Sequence, residues 1–444
     1  ALPWHGRGHR FESDMLHHLF MKTAFKNIII KLLWFQVGRL RKKYQPITIA
    51  VVGSIGKTGT KTAIATVLSE HLKVQWQNGN YNSEVSVPLV FFGQKMPKLY
   101  SLFGWLKVFI VAELYIQTGY KYQAVVLELA VDHPGDMEYF KEHLRVDYGV
   151  LTAIAPEHME NFKDLDEVAR EELLITEIAD IVVVSSEAVD AKYRHKIDKS
   201  LTYGYRLTDD CCINAGPLPD AKGRDFSLTY NKNDVFQFKT PLIGKQGLPA
   251  LACATLIARA VELTQSEIEK GIQKCTPLPG RMSVLKGYND AVLIDDTYNA
   301  SPEATFAALD TLYELPSKDK IAILGQMNEL GEHSKEFHQQ VGTYCSPKQL
   351  SLVVTIGDDA NNYLAAAAEK NGCHVMRCPT PYHAADIVLP LIHKDTTVLA
   401  KGSQNGVYAE ESVKILLRNP QDVKKLVRQS PIWIKKKDQD FRNS

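Results

Sequence analysis

Residues 47–62 read ITIAVVGSIGKTGTKT, and this stretch decides the fold class. It opens with an uninterrupted apolar run of six residues, which is typical of a strand buried on both faces of a parallel sheet. A glycine-rich loop with Gly-Lys-Thr at 56–58 follows, and then a helical pattern begins. A strand, a glycine-rich loop and a helix in this order indicate a phosphate-binding loop, although the standard string has a glycine where this chain has Val51.

The loop supplies the first group of candidate site residues. Glycines allow backbone N–H groups to converge on phosphate oxygens, and the helix N-terminus adds its positive end. Lys57 would contact the β- and γ-phosphates, and the Thr58 hydroxyl would ligate Mg²⁺. The residues that we expect to bind the nucleotide here are Gly53, Ser54, Gly56, Lys57, Thr58 and Gly59. The alternative is a glycine-rich turn that only packs a strand against a helix.

Strand and helix patterns alternate after the loop, which predicts a doubly wound, mainly parallel α/β sheet. Alternating residues over 201–245 predict antiparallel strands appended to that sheet, and a second, Rossmann-like α/β series follows the prolines near residue 278. The predicted buried strands of the first series are 47–53, 123–130, 148–154 and 180–186. The predicted domains are a helical segment (1–45), a nucleotide-binding domain (46–275), a C-terminal α/β domain (276–430) and a charged, frayed tail (431–444).

Composition narrows the class of partner and the compartment. The chain has 52 Lys and Arg against 51 Asp and Glu, a net charge of +1, so no overall field indicates nucleic acid binding. Its seven cysteines form neither a zinc-site spacing nor a disulfide framework, which favours a reducing, cytoplasmic location.

Two segments carry the apolar character of a surface helix. Residues 17–43 form a basic amphipathic pattern, which indicates either a helix at the inner face of the membrane or, as we favour, a helix packed on the following domain. Residues 101–117 read SLFGWLKVFIVAELYIQ; Lys107 and Glu113 interrupt the run, so it predicts a buried or surface-docked helix and not a membrane span.

Several further strings occur in a fixed order with the loop: PGRMSVL (279–285), LIDDTYNASPEAT (293–305), LGQMNELGEHSKEFH (324–338) and LAKGS (399–403). Together with the loop, they make residues 46–418 similar to the Mur ligases, and within them to the branch that adds D-alanyl-D-alanine. The shortened loop with Val51 is that family's form. The resemblance therefore implies ATP and Mg²⁺ as cofactors and an amide-forming reaction through an acyl phosphate.

The resemblance also implies roles for residues of the nucleotide-binding domain. Glu128, at the end of a predicted strand, would join Thr58 on Mg²⁺, and His158 would lie near a second Mg²⁺. Asn80 and Asn82 would position phosphate or the acyl substrate, although turn-forming asparagines are an open alternative.

In the C-terminal domain, the resemblance implies that Arg281 reaches the ATP phosphates. Asp296 and Asn299 would face the nucleotide, with Lys401 and Ser403 near the acceptor substrate. Because these residues belong to a different domain from Lys57, we expect catalysis to require domain closure.

Three features of the sequence depart from the family pattern: one residue, one short stretch and the N-terminal segment. Glu172 aligns with a lysine that many members carbamylate, and its carboxylate would replace that group as a metal ligand and catalytic residue. The family's Gly-x-His-Asn stretch appears here as GKQGLPALA (244–252). The basic segment at 17–43 stands where the family has a domain that binds uridine diphosphate.

The expected function is therefore ATP-dependent ligation, most simply of D-Ala-D-Ala to a muramyl-peptide carboxylate in peptidoglycan synthesis. One alternative is a ligase for another acceptor, as in folylpolyglutamate or cyanophycin synthesis. The other is a non-catalytic, nucleotide-binding scaffold for wall synthesis. Retention of Lys57, Thr58, Glu128, His158 and Arg281 together favours an enzyme.

Overall fold

The computed structural model describes residues 8–441 apart from ten internal positions, and it describes side chains from residue 25 onward. The positions left out within that range are 78, 80, 100, 157, 158, 160, 198, 199, 232 and 233. Its contacts divide the chain into two units. The first unit comprises residues 1–204 and 253–268, and the second comprises residues 205–252 and 269–444.

Six parallel strands form the sheet of the first unit, in the spatial order β2-β3-β1-β4-β5-β6. Their bounds are β1 (Ile47–Val52), β2 (Val74–Gln75), β3 (Ala124–Glu128), β4 (Val146–Leu151), β5 (Ala179–Ser185) and β6 (Ser200–Gly204). The four strands predicted from apolar runs are confirmed within a few residues, because burial on both faces leaves an unbroken apolar signal.

Eight helices accompany this sheet. Their bounds are α1 (Gly8–Tyr44), α2 (Lys57–Leu68), α3 (Ser86–Phe91), α4 (Leu102–Thr118), α5 (Asp136–His143), α6 (Leu165–Leu173), α7 (Ile175–Ile178) and α8 (Ala191–Arg194). Local chemistry sets several of the helix starts: the Asp164 carboxylate, for example, accepts a hydrogen bond from the Glu167 N–H at 2.8 Å and caps α6.

The register of β1 places the functional loops at one edge of the sheet. Val51 lies opposite Glu128 on β3, and Val52 lies opposite Leu151 on β4. Because the three strands are parallel and in step, the loops that leave their carboxyl ends meet at the same edge.

Helix α1 packs on the first unit over the part whose side chains are described. Leu33, Val37 and Leu40 are buried in the same apolar cluster as residues of the sheet and of α4. The packed helix favoured from the sequence is therefore confirmed for residues 25–44, and the segment around 101–117 forms the predicted surface-docked helix α4.

Helices α9 (Leu248–Ala260) and α10 (Gln265–Lys274) each contribute residues to both units. In the second unit, β7 (Cys211–Ala215), β8 (Arg224–Tyr230) and β9 (Asp234–Thr240) pair antiparallel, as the alternating pattern predicted.

The second unit also contains a six-stranded sheet in the order β10-β11-β15-β12-β13-β14, in which only β10 runs antiparallel to its neighbour. Its strands are β10 (Ser283–Lys286), β11 (Val292–Asp296), β12 (Asp319–Gly325), β13 (Leu352–Ile356), β14 (Val375–Cys378) and β15 (Thr396–Lys401). Its helices are α11 (Pro302–Glu314), α12 (Ser334–Tyr344), α13 (Ala365–Lys370), α14 (Pro381–Val388), α15 (Glu410–Leu416) and α16 (Pro431–Asp440). The predicted Rossmann-like series is confirmed.

The prediction of a frayed tail is wrong over residues 431–440. These residues form α16, and the Lys437 ammonium lies buried between the Glu410 and Glu411 carboxylates, at 2.8 and 2.6 Å. The charged composition suggested solvent exposure, but the charges are paired inside the fold.

Among the helices of the described residues, none combines the length and the apolar character that crossing a bilayer requires.

The packing of α1 predicts a contrast between two adjacent leucines. Leu33→Ala empties a fully buried position and should lower the free energy of unfolding by about 2–5 kcal/mol. Leu32→Ala, at a position that is 46% exposed, should change it by less than about 0.5 kcal/mol. Denaturant titration of both variants measures this contrast, and equal effects would contradict the described orientation of α1.

Candidate functional site

Glycines at two loop positions are required by geometry. Gly53 has a φ of +125°, and a Cβ there would lie 2.2 Å from the Thr152 Oγ1 atom. Gly56, with a φ of +90°, directly precedes α2. Both residues therefore adopt backbone conformations that side chains disfavour. The loop presents the N-terminus of a twelve-residue helix, where free backbone N–H groups and the helix dipole favour an anion.

Two side chains of the loop fold back onto protein atoms. The Lys57 ammonium donates to the Gly53 carbonyl at 2.6 Å and to the Ser54 carbonyl at 3.4 Å. The buried Ser54 hydroxyl accepts from the Ala155 N–H at 3.0 Å, so it ties the loop to the segment after β4. Gly59 lies inside α2 with open space around it. Contacts of all three residues with nucleotide remain predictions.

Glu128 is the centre of the polar cluster at this edge. One carboxylate oxygen, Oε1, accepts from the Thr58 hydroxyl at 3.1 Å. The other, Oε2, lies 2.9 Å from the Lys61 ammonium, and both charged side chains are buried. The predicted proximity of Thr58 and Glu128 is therefore observed.

Lys61 is the residue of this cluster that the sequence analysis missed. Its spacing of three positions from Thr58 on α2 puts both side chains on one helix face, and that was the available signal. A buried lysine needs a counter-ion, and Glu128 provides it.

The cluster fits a magnesium ion that protein atoms hold only in part. Thr58 and Glu128 offer the hard oxygen donors that Mg²⁺ prefers, while Lys61 already neutralises Glu128 Oε2 and leaves Oε1 for a cation. The described residues contain no group of three or more His, Cys, Asp or Glu side chains that could hold a metal. Mg²⁺ at this place would accordingly take most of its ligands from phosphate oxygens and water.

The other predicted residues of the first unit are only partly described. Asn80 and His158 lie outside the described residues. Asn82 lies beside the end of β3, because its backbone carbonyl accepts from the Ala130 N–H at 2.9 Å. Glu172 is on α6 with 1% of its surface exposed. The metal and substrate roles of these four residues remain predictions.

In the second unit, β11 ends in two buried carboxylates with different partners. Asp296 forms an ion pair with the buried Lys401 ammonium at 2.6 Å and accepts from the Met282 N–H at 3.0 Å. Asp295 accepts from the N–H and hydroxyl of Thr297; burial raises the pKa of Asp295 to about 6, and these hydrogen bonds act in the opposite direction. The two carboxylates thus fix the start of the segment Asp295–Asn299, which we call the DDTYN loop.

Lys401 and Ser403, predicted near the acceptor, both have protein partners. Lys401 also donates to the Asn299 carbonyl at 3.1 Å, and the buried Ser403 hydroxyl donates to the Ala300 carbonyl at 3.3 Å. Both therefore hold the loop after β11, and their contacts with substrate remain predictions.

Among the predicted site residues of the second unit, Arg281 and Asn299 are exposed to solvent. The Arg281 guanidinium lies 4.3 Å from the centroid of the Tyr298 ring, which holds this cation against the loop after β11. The contact of Arg281 with phosphate remains a prediction.

Arg428, a second residue that the sequence analysis did not identify, holds the same loop through its backbone carbonyls. Its guanidinium donates to the Tyr298 carbonyl at 2.9 Å and to the Thr297 carbonyl, and it pairs with the fully buried Glu410 at 2.6 Å. Since Lys437 of α16 binds the same Glu410, the tail helix and the DDTYN loop share one ion-pair network.

Two family models match the chain, and together they cover most of it. A model described as "Mur ligase middle domain" matches residues 51–258, and one described as "Mur ligase, glutamate ligase domain" matches residues 280–404.

Curated relatives extend the match over nearly the whole chain. The UDP-N-acetylmuramoyl-tripeptide–D-alanyl-D-alanine ligase of Haemophilus influenzae is 25% identical over an alignment of 381 positions, gaps included, which covers 82% of this chain and 76% of that protein. The ligase of the same name from Bacillus subtilis is 24% identical over an alignment of 445 positions, which covers 93% of this chain and 90% of that protein.

A solved structure shows the same fold. The MurF ligase from Thermotoga maritima in complex with ADP superposes with a TM-score of 0.71 at 22% identity, over 90% of this chain and 84% of that one.

The Lys61–Glu128 pair predicts a double-mutant result. Lys61→Met leaves a buried, unpaired carboxylate and should lower the free energy of unfolding by about 3–5 kcal/mol in the absence of divalent cations. Adding Glu128→Gln removes that charge, so the double variant should recover a large part of the loss.

Lys73→Met, at an exposed lysine of the same unit, is the matched control and should change stability by less than about 0.5 kcal/mol. Urea titration monitored by circular dichroism measures all four proteins. A Lys61→Met variant as stable as the control would mean that the pair does not form.

Proposed function

The chain belongs to the Mur ligase family, and we propose that it is an ATP- and Mg²⁺-dependent ligase that forms an amide bond. The observation that carries this proposal is the arrangement of Lys57, Thr58 and Glu128 at the carboxyl edge of the first sheet.

The substrates follow from the curated relatives. Their shared name, UDP-N-acetylmuramoyl-tripeptide–D-alanyl-D-alanine ligase, supports a muramyl-tripeptide as the carboxylate substrate and D-Ala-D-Ala as the amine. The step in peptidoglycan synthesis is then the addition of the terminal dipeptide. The family model of the second unit is named for glutamate ligation, so a glutamate-type acceptor is the second candidate.

The reaction balances in two steps. A carboxylate oxygen of the substrate attacks the γ-phosphorus of ATP, ADP leaves, and an acyl phosphate forms. The free amine then attacks the acyl carbon, and inorganic phosphate leaves with the oxygen that came from the carboxylate.

The protein's contribution is positioning and charge neutralisation. Lys57 would exchange its contacts with the Gly53 and Ser54 carbonyls for phosphate oxygens, and Arg281 keeps its predicted role as a second cation for phosphate. Thr58 and Glu128 would hold Mg²⁺, which when bound supplies further neutralisation of the transferring phosphoryl group.

The remaining predicted residues take supporting roles in this proposal. His158 and Glu172 would hold a second cation, and Asn80 and Asn82 would position the acyl phosphate. Asp296 and Asn299 bind the nucleoside part of ATP, while Lys401 and Ser403 keep their loop in place for the acceptor.

We place the enzyme in the cytoplasm, with the α1 side toward the inner face of the membrane. None of the seven cysteines forms a disulfide and all are buried, which suits a reducing compartment.

Substrate-omission assays test the proposal. Phosphate release from ATP should require both the muramyl-tripeptide and D-Ala-D-Ala, because the acyl phosphate forms on one and is consumed by the other. Lys57→Ala should lower the rate by about 10²–10³-fold or more, because a cation at the transferring phosphate is lost. Lys73→Ala, an exposed lysine of the same unit, is the matched control and should keep full activity.

The other outcomes discriminate between the candidates. Turnover with glutamate in place of D-Ala-D-Ala would identify the glutamate-type ligase. Nucleotide binding without turnover, for any pair of muramyl-peptide and amine, would support the scaffold and reject the enzyme.

A further inference from the structure

Helices α1 and α4 lie side by side and run in the same direction. The Arg39 guanidinium donates to both oxygens of the Glu113 carboxylate at 2.6 and 2.9 Å. Gln36 donates to the Phe109 carbonyl at 3.1 Å, and Lys43 donates to the Ile116 carbonyl at 2.7 Å. These partners are separated by 73 or 74 positions in every case, so the two helices advance in step.

One side of each helix is buried in the core of the first unit. Leu33 and Val37 of α1 and Val108 and Ala112 of α4 belong to a single cluster of buried apolar residues. Since both helices pack inward on the same core, their opposite sides face away from it together.

The outward sides are apolar. Exposed positions recur at helical spacing on both helices, and the most exposed apolar side chains are those of Phe103 (88%), Leu102 (68%) and Phe35 (64%). We call this surface the α1–α4 face; its six principal residues are Ile28, Leu32, Phe35, Phe103, Leu106 and Ile110. Contiguous apolar surface of this kind on a soluble protein marks an interaction site.

Basic side chains predominate around the face, although Glu84 pairs with Lys26 of α1 at 2.6 Å. No Asp or Glu occurs from residue 25 to 44 or from residue 93 to 111, although the whole chain has a net charge of only +1. Exposed Lys31 lies between Ile28 and Phe35 on α1, and exposed Lys107 lies on the outward stripe of α4. The one acidic residue of α4, Glu113, is already paired with Arg39, which lowers the pKa of that carboxyl to about 2.

We propose that the α1–α4 face binds the surface of a bilayer that contains anionic lipid. Phenylalanine, leucine and isoleucine side chains would enter the boundary between headgroups and acyl chains, while the lysines contact lipid phosphates. The contact is peripheral, because neither helix can cross a membrane over its described residues. This inference goes beyond ligation and does not depend on it.

The charge pattern favours lipid over a second copy of the chain. A symmetric contact would place one predominantly basic face against another, so exposed lysines would oppose lysines. An anionic bilayer satisfies both the apolar centre and the basic surroundings.

Co-sedimentation with vesicles tests the proposal on the full chain. The probes are vesicles of phosphatidylcholine alone and of phosphatidylcholine with about 30 mol% phosphatidylglycerol. The protein should sediment with the second kind, less at high salt, and at least about tenfold less with the first kind.

Paired variants locate the contact. Phe103→Glu combined with Ile110→Glu should reduce binding to the anionic vesicles at least about tenfold, because charges would enter the apolar boundary. Leu207→Glu, at a side chain of the second unit that is 88% exposed, is the matched control and should bind like the wild type. Thermal unfolding of each variant confirms that the fold is retained, and ATP-dependent ligation of soluble substrates should be unchanged, which separates this proposal from the proposed function.

Three results would overturn the proposal. The first is an absence of wild-type binding to either vesicle, and the second is equal binding by the Phe103→Glu/Ile110→Glu variant. The third is a dimer, seen by sedimentation velocity and dispersed by that variant, without vesicle binding; the face would then join two copies of the chain.

Discussion

The parallel alignment of β1 between β3 and β4 is the constraint on which the candidate site depends. It places the loop after Val52, the carboxylate of Glu128 and the segment from Thr152 to Ala155 at one edge of the sheet. The chain approaches itself so closely there that a Cβ at Gly53 would collide with Thr152. A shift of one residue in the pairing of β1 with β3 would turn Glu128 to the opposite face and separate it from Thr58.

Buried charge is used in both units to hold loops in place. In the first unit, Lys61 neutralises Glu128 beside the loop threonine. In the second, Lys401 pairs with Asp296, and Glu410 binds both Arg428 and Lys437. Such pairs add little net stability over apolar packing, but losing one partner is costly, so they enforce a single arrangement of the loops they touch. We interpret them as the means by which catalytic side chains on loops are kept in position.

The sequence predicts the parts of this protein that depend on local pattern. The apolar runs identified the four central strands of the first sheet, and Gly-Lys-Thr after a strand identified the loop. What it could not predict are pairs between distant positions: Lys61 with Glu128, Arg39 with Glu113, and Arg428 with the Tyr298 carbonyl, the last separated by 130 positions. From sequence alone, a charged residue is expected to be exposed, because its buried partner is not known. For this reason the tail helix was predicted to fray and Lys61 was overlooked.

The central claim is that the enzyme activates a carboxylate by phosphorylating it, and oxygen transfer tests this most directly. The muramyl-tripeptide is prepared with ¹⁸O in its terminal carboxylate, ligated to D-Ala-D-Ala with ATP, and the released phosphate is examined by mass spectrometry. The account predicts one ¹⁸O atom in each inorganic phosphate, because the acyl phosphate oxygen leaves with phosphorus. Amide formation with unlabelled phosphate, or with ¹⁸O in AMP, would contradict it.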